Sequence, residues 1–193
     1  MRNIIFGGTF DPVHIGHLHL AETVWRMFEK PRLFFLPSGI PPHKNNSGIS
    51  SREQRIDMLN KALEDTPWEL DLSEVEREGT TFTIDTIREM RERYGWNEKP
   101  GFILGDDLIP GFSKWKEPDI LAEEVELLLA CRVESLTSSN ELKYPHTKIG
   151  NAVLPVSSSR IRERVAQGEA FKYLVPSGVF DYICKHKMYG YDS

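Results

Sequence analysis

The chain has 193 residues, of which 39% are hydrophobic and 27% charged, a balance typical of one globular domain that buries most of its apolar surface. Its formal net charge of −5 argues against nonspecific binding to nucleic acid, which requires a basic face. No apolar run approaches the ~20 residues of a membrane span, and Met1–Asn3 leads directly into a strand pattern. We therefore expect a single domain over residues 1–193, cytoplasmic, with neither nucleic acid nor membrane as a partner.

The most informative stretch of the chain is Gly7–His17, with the sequence GGTFDPVHIGH. It follows the β-branched and aromatic run Ile4–Phe6, which predicts a buried strand. It precedes the segment Ala21–Phe28, in which apolar residues recur at helical spacing on one face. The stretch therefore predicts a strand-to-helix turn at the start of an α/β unit, a position where such sheets bind nucleotides.

The residue types in this turn favour a phosphate ligand. Gly7 and Gly8 allow close approach of the backbone, and the helix that follows offers free N–H groups and a positive dipole end. No Gly-Lys-Ser/Thr follows, so the turn is not a P-loop; the third glycine and the acidic residue of the dinucleotide fingerprint are also missing, which argues against a dinucleotide-dependent oxidoreductase. His14 and His17 can both face the phosphate site. The alternatives are an ordinary tight turn and a partial metal site.

The rest of the chain alternates strand and helix patterns. Further strands are predicted at Arg32–Leu36, Trp68–Leu72, Gly101–Leu104, Val125–Ala130 and Ala152–Leu154. Further helices are predicted to begin after Ser51 in a capping box with Gln54, at the threonines of 80–86, after Ser157–Ser159, and at about Pro176. Residues 132–148, where the pattern fades, are predicted to be an exposed connection.

Two loops that follow predicted strands contain candidate ligand residues. Lys44 lies in a proline-rich loop that would hold it in place, although composition alone favours a surface lysine. Gly105 and Asp106 begin an acidic turn after the Gly101–Leu104 strand. Such a turn holds a ribose hydroxyl or Mg²⁺, or it serves only as a turn or helix cap, and the sequence favours neither.

A second candidate anion site lies near the C-terminal end. The triplet Ser157–Ser159 is a strong helix N-cap, and Arg162 follows it. Serine hydroxyls, free N–H groups and a guanidinium together suit phosphate. The alternative is an amphipathic helix with a solvated basic face, which leaves the serine triplet unexplained.

These motifs resemble those of a known superfamily. GGTFDPVHIGH is similar to the signature of the nucleotidyltransferases with the H-x-G-H motif, and SSSRIR is similar to their second signature, the triphosphate-binding helix start. The Leu36–Lys44 loop with its PPHK, the TFTIDT segment Thr81–Thr86 and the pair Lys114-Trp115 resemble the nicotinate mononucleotide adenylyltransferases over the full length of the chain. Two departures occur: Phe82 replaces the usual tyrosine, and Arg132–Glu134 replaces the usual Arg-Pro-Gly.

The resemblance implies a Rossmann-like doubly wound parallel sheet with helices on both faces. It implies transfer of AMP from ATP to nicotinate mononucleotide, with Mg²⁺ accompanying ATP and no metal ligands in the protein. The residues it implies are, for catalysis, His14, His17 and Arg162; for ATP, Gly7, Gly8, Thr9, Phe10, Gly105, Asp106, Ser158 and Ser159; and for the mononucleotide, Lys44, Thr83 and Trp115.

Two alternatives to this activity remain at the level of sequence. One is a sibling enzyme that uses the amide mononucleotide. The other is a non-catalytic nucleotide sensor, which could dispense with a histidine or with Arg162, although both are present. A homo-oligomer is left open.

Overall fold

The computed structural model describes residues 1–39, 49–77, 79–130, 142–150, 152 and 154–192, and is organised around a six-stranded sheet. The strands are β1 (Asn3–Gly8), β2 (Arg32–Pro37), β3 (Glu69–Leu70), β4 (Gly101–Gly105), β5 (Glu126–Ala130) and β6 (His146–Ile149). Their spatial order is β3-β2-β1-β4-β5-β6, and every neighbouring pair is parallel. The strand order reverses between β1 and β4, which is where sheets of this kind bind ligands.

Helices cover both faces of this sheet. They are α1 (Ile15–Met27), α2 (Arg52–Leu63), α3 (Ser73–Glu76), α4 (Thr83–Tyr94), α5 (Ile109–Phe112), α6 (Pro118–Glu124), α7 (Ser158–Ala166) and α8 (Ser177–Lys185). Because successive side chains of a strand point to opposite faces, Ile4 and Phe6 of β1 pack with α1, α2, α7 and α8, whereas Ile5 packs with α4 and α6. The predicted doubly wound parallel fold is therefore confirmed.

Several local predictions are confirmed because they depend on neighbouring residues only. Ser51 caps α2 in a reciprocal capping box: Ser51 Oγ accepts from the Gln54 N–H at 3.2 Å, and Gln54 Oε1 accepts from the Ser51 N–H at 3.0 Å. Ser157 caps α7 and accepts from the Arg160 N–H, and Gly168 follows the helix with a φ of +68°.

The prediction of the last strand was wrong. The strand is β6, at His146–Ile149, which begins inside the predicted exposed connection and ends one residue beyond it, and Ala152 and Leu154 lie outside the strand. The polar residues of β6 gave no strand pattern, because this strand lies at the edge of the sheet and is held by backbone pairing, with Leu127 opposite His146.

The predicted start of α4 was also wrong in detail. Its N-cap is Phe82 in an extended conformation, and no threonine caps the helix among the described side chains. Thr86 instead donates its hydroxyl to the Phe82 carbonyl one turn back, at 3.3 Å. Three short helices, α3, α5 and α6, were not predicted, and the last two lie between β4 and β5. In the described part of the chain, no helix has the length and apolar character needed to cross a membrane.

Candidate active site

The turn after β1 is shaped by a contact between Gly8 and Phe10. A Cβ added at Gly8 would lie 2.9 Å from Cζ of the Phe10 ring, so only glycine fits there. Phe10 has a left-handed backbone, with φ of 50°, and its ring is buried against Phe6 and Phe35. Any contact of Phe10 with a nucleotide is therefore limited to its backbone. The side chain belongs to the core.

The two motif histidines form a stacked pair at the beginning of α1. Their ring centroids lie 3.6 Å apart with 21° between the planes, and His14 is the N-cap residue. The backbone N–H of His14 donates to Nδ1 of His17 at 3.2 Å. Since Nδ1 of His17 accepts, its neutral form carries the proton on Nε2, which makes Nε2 a hydrogen-bond donor.

Gly16 brings the second motif against this histidine pair. A Cβ at Gly16 would lie 2.9 Å from Cγ1 of Val156 and 3.1 Å from Nδ1 and Cε1 of His14. Val156 directly precedes the serine triplet of α7. The absence of a side chain at Gly16 thus allows the entrance of α7 to pack on the entrance of α1.

Hydrogen bonds then fasten α7 to the backbone of the β1–α1 turn. Ser158 Oγ donates to the Pro12 carbonyl at 2.9 Å, and Nη1 of Arg162 donates to the Asp11 carbonyl at 2.6 Å. Nη2 of Arg162 donates to Ser159 Oγ at 3.3 Å, and the Arg162 side chain remains 28% exposed. The structure therefore brings the two histidines of the first motif close to Ser158, Ser159 and Arg162 of the second motif. The two motifs are more than 140 residues apart in sequence.

Buried polar residues that the sequence argument missed support this turn. Asp11 is 1% exposed; its Oδ1 accepts from the Tyr189 hydroxyl at 2.7 Å and its Oδ2 from the Ser50 N–H at 3.1 Å. Arg55 Nη1 donates to the carbonyl of Thr9 at 3.1 Å and also to the Ser38 carbonyl. Burial lowers the pKa of the Arg55 guanidinium, and the nearby Asp11 charge opposes that shift.

Arg55 could have been found from the sequence. The buried residues of α2 include Arg55, Met58, Leu59 and Ala62, so an arginine occupies a core position of the helical apolar pattern. A charged residue on an apolar face is rarely left without partners, and here its partners are the carbonyl of Thr9 in the β1–α1 turn and that of Ser38 just after β2.

Two further predicted ATP residues lie at the end of the neighbouring strand. Gly105 ends β4, and Asp106 begins a short 3₁₀ helix at residues 106–108, with only 7% of Asp106 exposed. Because β4 pairs directly with β1, the turn at Asp106 lies at the same sheet edge as the glycine turn after β1.

Two of the predicted mononucleotide residues, Thr83 and Trp115, belong to segments that pack on the face of the sheet to which Ile5 points. Thr83 is the first residue of α4 and Trp115 is half-buried, with its ring centroid 5.1 Å from that of Phe112. Lys116 joins the two segments: its Nζ lies 2.8 Å from Oδ2 of Asp85 in α4 and 5.1 Å from the ring centroid of the exposed Phe82. Lys44 lies outside the described residues.

The fold and this site agree with comparisons to known proteins. Residues 5–164 match the model of a family described as cytidylyltransferase-like. The chain therefore belongs to the cytidylyltransferase-like family of nucleotidyltransferases.

The more similar relatives define the group within that family. A protein of Borreliella burgdorferi, named a probable nicotinate-nucleotide adenylyltransferase, is 40% identical over 98% of this chain and 97% of its own length. A protein of the same name from Dictyoglomus thermophilum is 38% identical over 98% of this chain and its full length. The chain is thus a member of the nicotinate-nucleotide adenylyltransferases, as the motif resemblance implied.

A solved structure shares the fold over the whole chain. The Plasmodium falciparum nicotinic acid mononucleotide adenylyltransferase, complexed with NaAD, superposes with a TM-score of 0.80. The two proteins are 21% identical, and the match covers 100% of this chain and 99% of that one.

Proposed function

We propose that this chain transfers AMP from ATP to nicotinate mononucleotide. The observation that carries the proposal is the docking of α7 on the β1–α1 turn, which places Arg162 and two serine hydroxyls beside the stacked histidines. A helix N-terminus, a guanidinium and imidazole donors converge there, and this combination suits a polyphosphate.

The reaction requires no covalent intermediate on the protein. An oxygen of the mononucleotide phosphate forms a bond to the α-phosphorus of ATP as the bond from that phosphorus to the α,β-bridging oxygen breaks. Pyrophosphate leaves with the electron pair of the broken bond, and nicotinate adenine dinucleotide remains. Positioning of the two phosphates and stabilisation of the charge that moves between them therefore supply most of the catalysis.

Each group at the turn has a part in this scheme. We assign His14 and His17 to the α-phosphate, with the Nε2–H of His17 donating to an oxygen that gains charge. Ser158, Ser159 and Arg162 would hold the β- and γ-phosphates. The backbone from Gly7 to Phe10 would contact the nucleotide, and the turn at Gly105 and Asp106 would contact its ribose.

We propose that Mg²⁺ enters with ATP. Within the described residues, no group of three or more histidine, cysteine, aspartate or glutamate side chains is placed to hold a metal ion. We infer that this ion would be coordinated by phosphate oxygens and water, the usual environment of Mg²⁺ that accompanies a nucleotide. Such an ion would neutralise charge on the departing pyrophosphate.

The start of α4 favours the acid over the amide mononucleotide. Among the described residues, no side-chain hydrogen bond caps α4 at its N-cap residue Phe82, so the first N–H groups of the helix, from Thr83 onward, suit a carboxylate. The flat face of Trp115 offers a stacking surface for a pyridine ring. An amide nitrogen would present a donor to these N–H donors, whereas a carboxylate only accepts.

The deciding experiment measures kcat/KM for both mononucleotides at matched ATP by pyrophosphate release. We expect nicotinate mononucleotide to be favoured at least about a hundredfold, the penalty of leaving buried donors unpaired. Equal efficiency, or a preference for the amide, would contradict acid specificity and leave only the family assignment.

Three wider assignments also stay predictions. They are a single domain over residues 1–193, a cytoplasmic location, and the absence of nucleic acid as a partner. Limited proteolysis tests the first, because a single domain should resist cleavage between its elements except at exposed loops.

A further inference from the structure

The C-terminal turn adopts an uncommon backbone conformation. Tyr189 has φ of 57° and ψ of 24°, and Lys187 has φ of 49°, both in the left-handed region that bulky side chains rarely occupy. Such a conformation persists where surrounding contacts determine it, and it often accompanies a functional requirement.

This conformation directs the Tyr189 hydroxyl into the support of the candidate active site. The hydroxyl donates to Oδ1 of Asp11 at 2.7 Å and accepts from Ser50 Oγ at 3.1 Å. Burial and the Asp11 charge both raise the pKa of Tyr189, so the phenol stays protonated and remains a donor. A residue 178 positions away in sequence thus anchors the carboxylate of the phosphate turn.

Asp11 also binds Arg162, together with Ser159. Its carbonyl accepts from Arg162 Nη1 at 2.6 Å, and its Oδ2 lies 3.9 Å from the same nitrogen. While Tyr189 and the Ser50 N–H occupy the two carboxylate oxygens, the guanidinium is held chiefly through the carbonyl. Without the Tyr189 hydroxyl, the buried carboxylate would keep only the Ser50 N–H of these two donors, and its unpaired Oδ1 would turn towards Arg162, in competition with a phosphate ligand.

We propose that Tyr189 is a positioning residue for the triphosphate site, acting through Asp11 on Arg162. This rests on the proposed adenylyl transfer for its substrate, ATP. Tyr189 itself touches no reacting atom in the scheme above. Its role is to set the orientation and availability of the arginine.

The test compares Tyr189→Phe with Tyr182→Phe. The control is closely matched, because the Tyr182 hydroxyl donates to Oδ2 of Asp57 at 2.8 Å, between α8 and α2 and outside the candidate active site. We expect Tyr189→Phe to lower kcat/KM for ATP about tenfold, mainly through KM, the effect of losing one hydrogen bond to a charged group. KM for the mononucleotide should stay within about twofold in both variants, and Tyr182→Phe should also leave KM for ATP within about twofold.

A double-mutant cycle with Arg162→Lys tests whether Tyr189 acts on ATP binding through Arg162. If Tyr189 acts through Arg162, Tyr189→Phe should change KM for ATP by less than about twofold in the lysine background. Additive effects would overturn the proposal. So would equal losses in both tyrosine variants, or a Tyr189→Phe chain that circular dichroism shows unfolded at every temperature, since the hydroxyl would then serve only the fold.

Failure of the proposed function is distinguishable from failure of this inference. If the wild-type chain forms no dinucleotide from ATP and the mononucleotide, the function fails. The positioning role is then tested on binding alone, by titration calorimetry with a non-hydrolysable ATP analogue. About tenfold weaker binding to Tyr189→Phe, with unchanged binding to Tyr182→Phe, supports the role, and equal binding to wild type and Tyr189→Phe overturns it.

Discussion

Replacement of His17 by alanine removes a single preorganised donor from the proposed α-phosphate site. The His14 N–H fixes the orientation of the His17 ring, so Nε2 would need no reorganisation to meet the developing charge. Loss of one such donor raises the activation barrier by about 3 kcal/mol, which lowers kcat roughly a hundredfold or more. The ring also packs edge-on against Phe6 and Phe10, with centroid distances of 5.9 Å and 5.0 Å, so we expect a stability loss of about 1 to 2 kcal/mol as well.

The assay is steady-state pyrophosphate release at saturating ATP and mononucleotide, with urea unfolding to separate stability from turnover. His19→Ala is the control, because His19 lies on the same helix and bonds Thr23 through its carbonyl, which alanine keeps. His17→Gln retains a side-chain N–H donor and should recover part of the rate. Turnover of His17→Ala within about threefold of wild type would refute the donor role, since a lost donor costs far more.

Three further changes test other parts of the molecule. Arg162→Lys should weaken binding of ATP more than binding of the mononucleotide, because lysine lacks the planar guanidinium that binds phosphate through two N–H groups. Equal losses for both ligands in calorimetry would show that Arg162 is not at the triphosphate site. Gly16→Ala should lower kcat/KM at least about tenfold, because the new Cβ would lie 3.1 Å from the His14 ring and displace it. Gly111→Ala should leave kcat/KM unchanged, because a Cβ there would meet no atom of the described residues within 4 Å. Glu74 is buried in α3, and burial raises its pKa. The folded chain therefore favours the protonated acid and loses stability as pH rises from the ordinary glutamate pKa through the raised one. Glu74→Gln should therefore raise the free energy of unfolding near pH 7 but not near pH 4 in urea titrations, and an equal gain at both would contradict the assignment.

The parts of the fold that the sequence predicts are those set by local physics. Buried parallel strands such as β1 and β4 are short apolar runs, and helix starts such as the Ser51 capping box depend on residues three apart. The edge strand β6 depends instead on pairing with β5, and its polar residues resemble those of a loop. The start of α4 was predicted wrongly for a related reason. Threonine is a favoured N-cap residue in general, but here the N-cap is Phe82 in an extended conformation, and the Thr86 hydroxyl donates to the Phe82 carbonyl one turn back.

The candidate site shows the same division. Its motif residues were predictable because each motif is a contiguous string that begins a helix. The contacts beneath them were not. The apolar pattern of α2 marks Arg55 as a core position, but no spacing in the sequence connects Arg55 or Tyr189 with the turn that each one contacts. Phe10 belongs to both groups: it lies in the motif, yet its ring is core and determines that residue 8 must be glycine.

The hydrogen bonds between the two motifs determine which substitutions the site tolerates. Ser158 and Arg162 both bond to backbone carbonyls, those of Pro12 and Asp11, and not to motif side chains. Every residue has a backbone carbonyl, so the position of α7 against α1 depends on the backbone path of the β1–α1 turn and not on the side chains at residues 11 and 12. That path is fixed on one side by Phe10 against Gly8 and on the other by the bonds to the Asp11 carboxylate. Substitutions that shift this backbone should therefore impair ATP binding even where every proposed phosphate contact is intact.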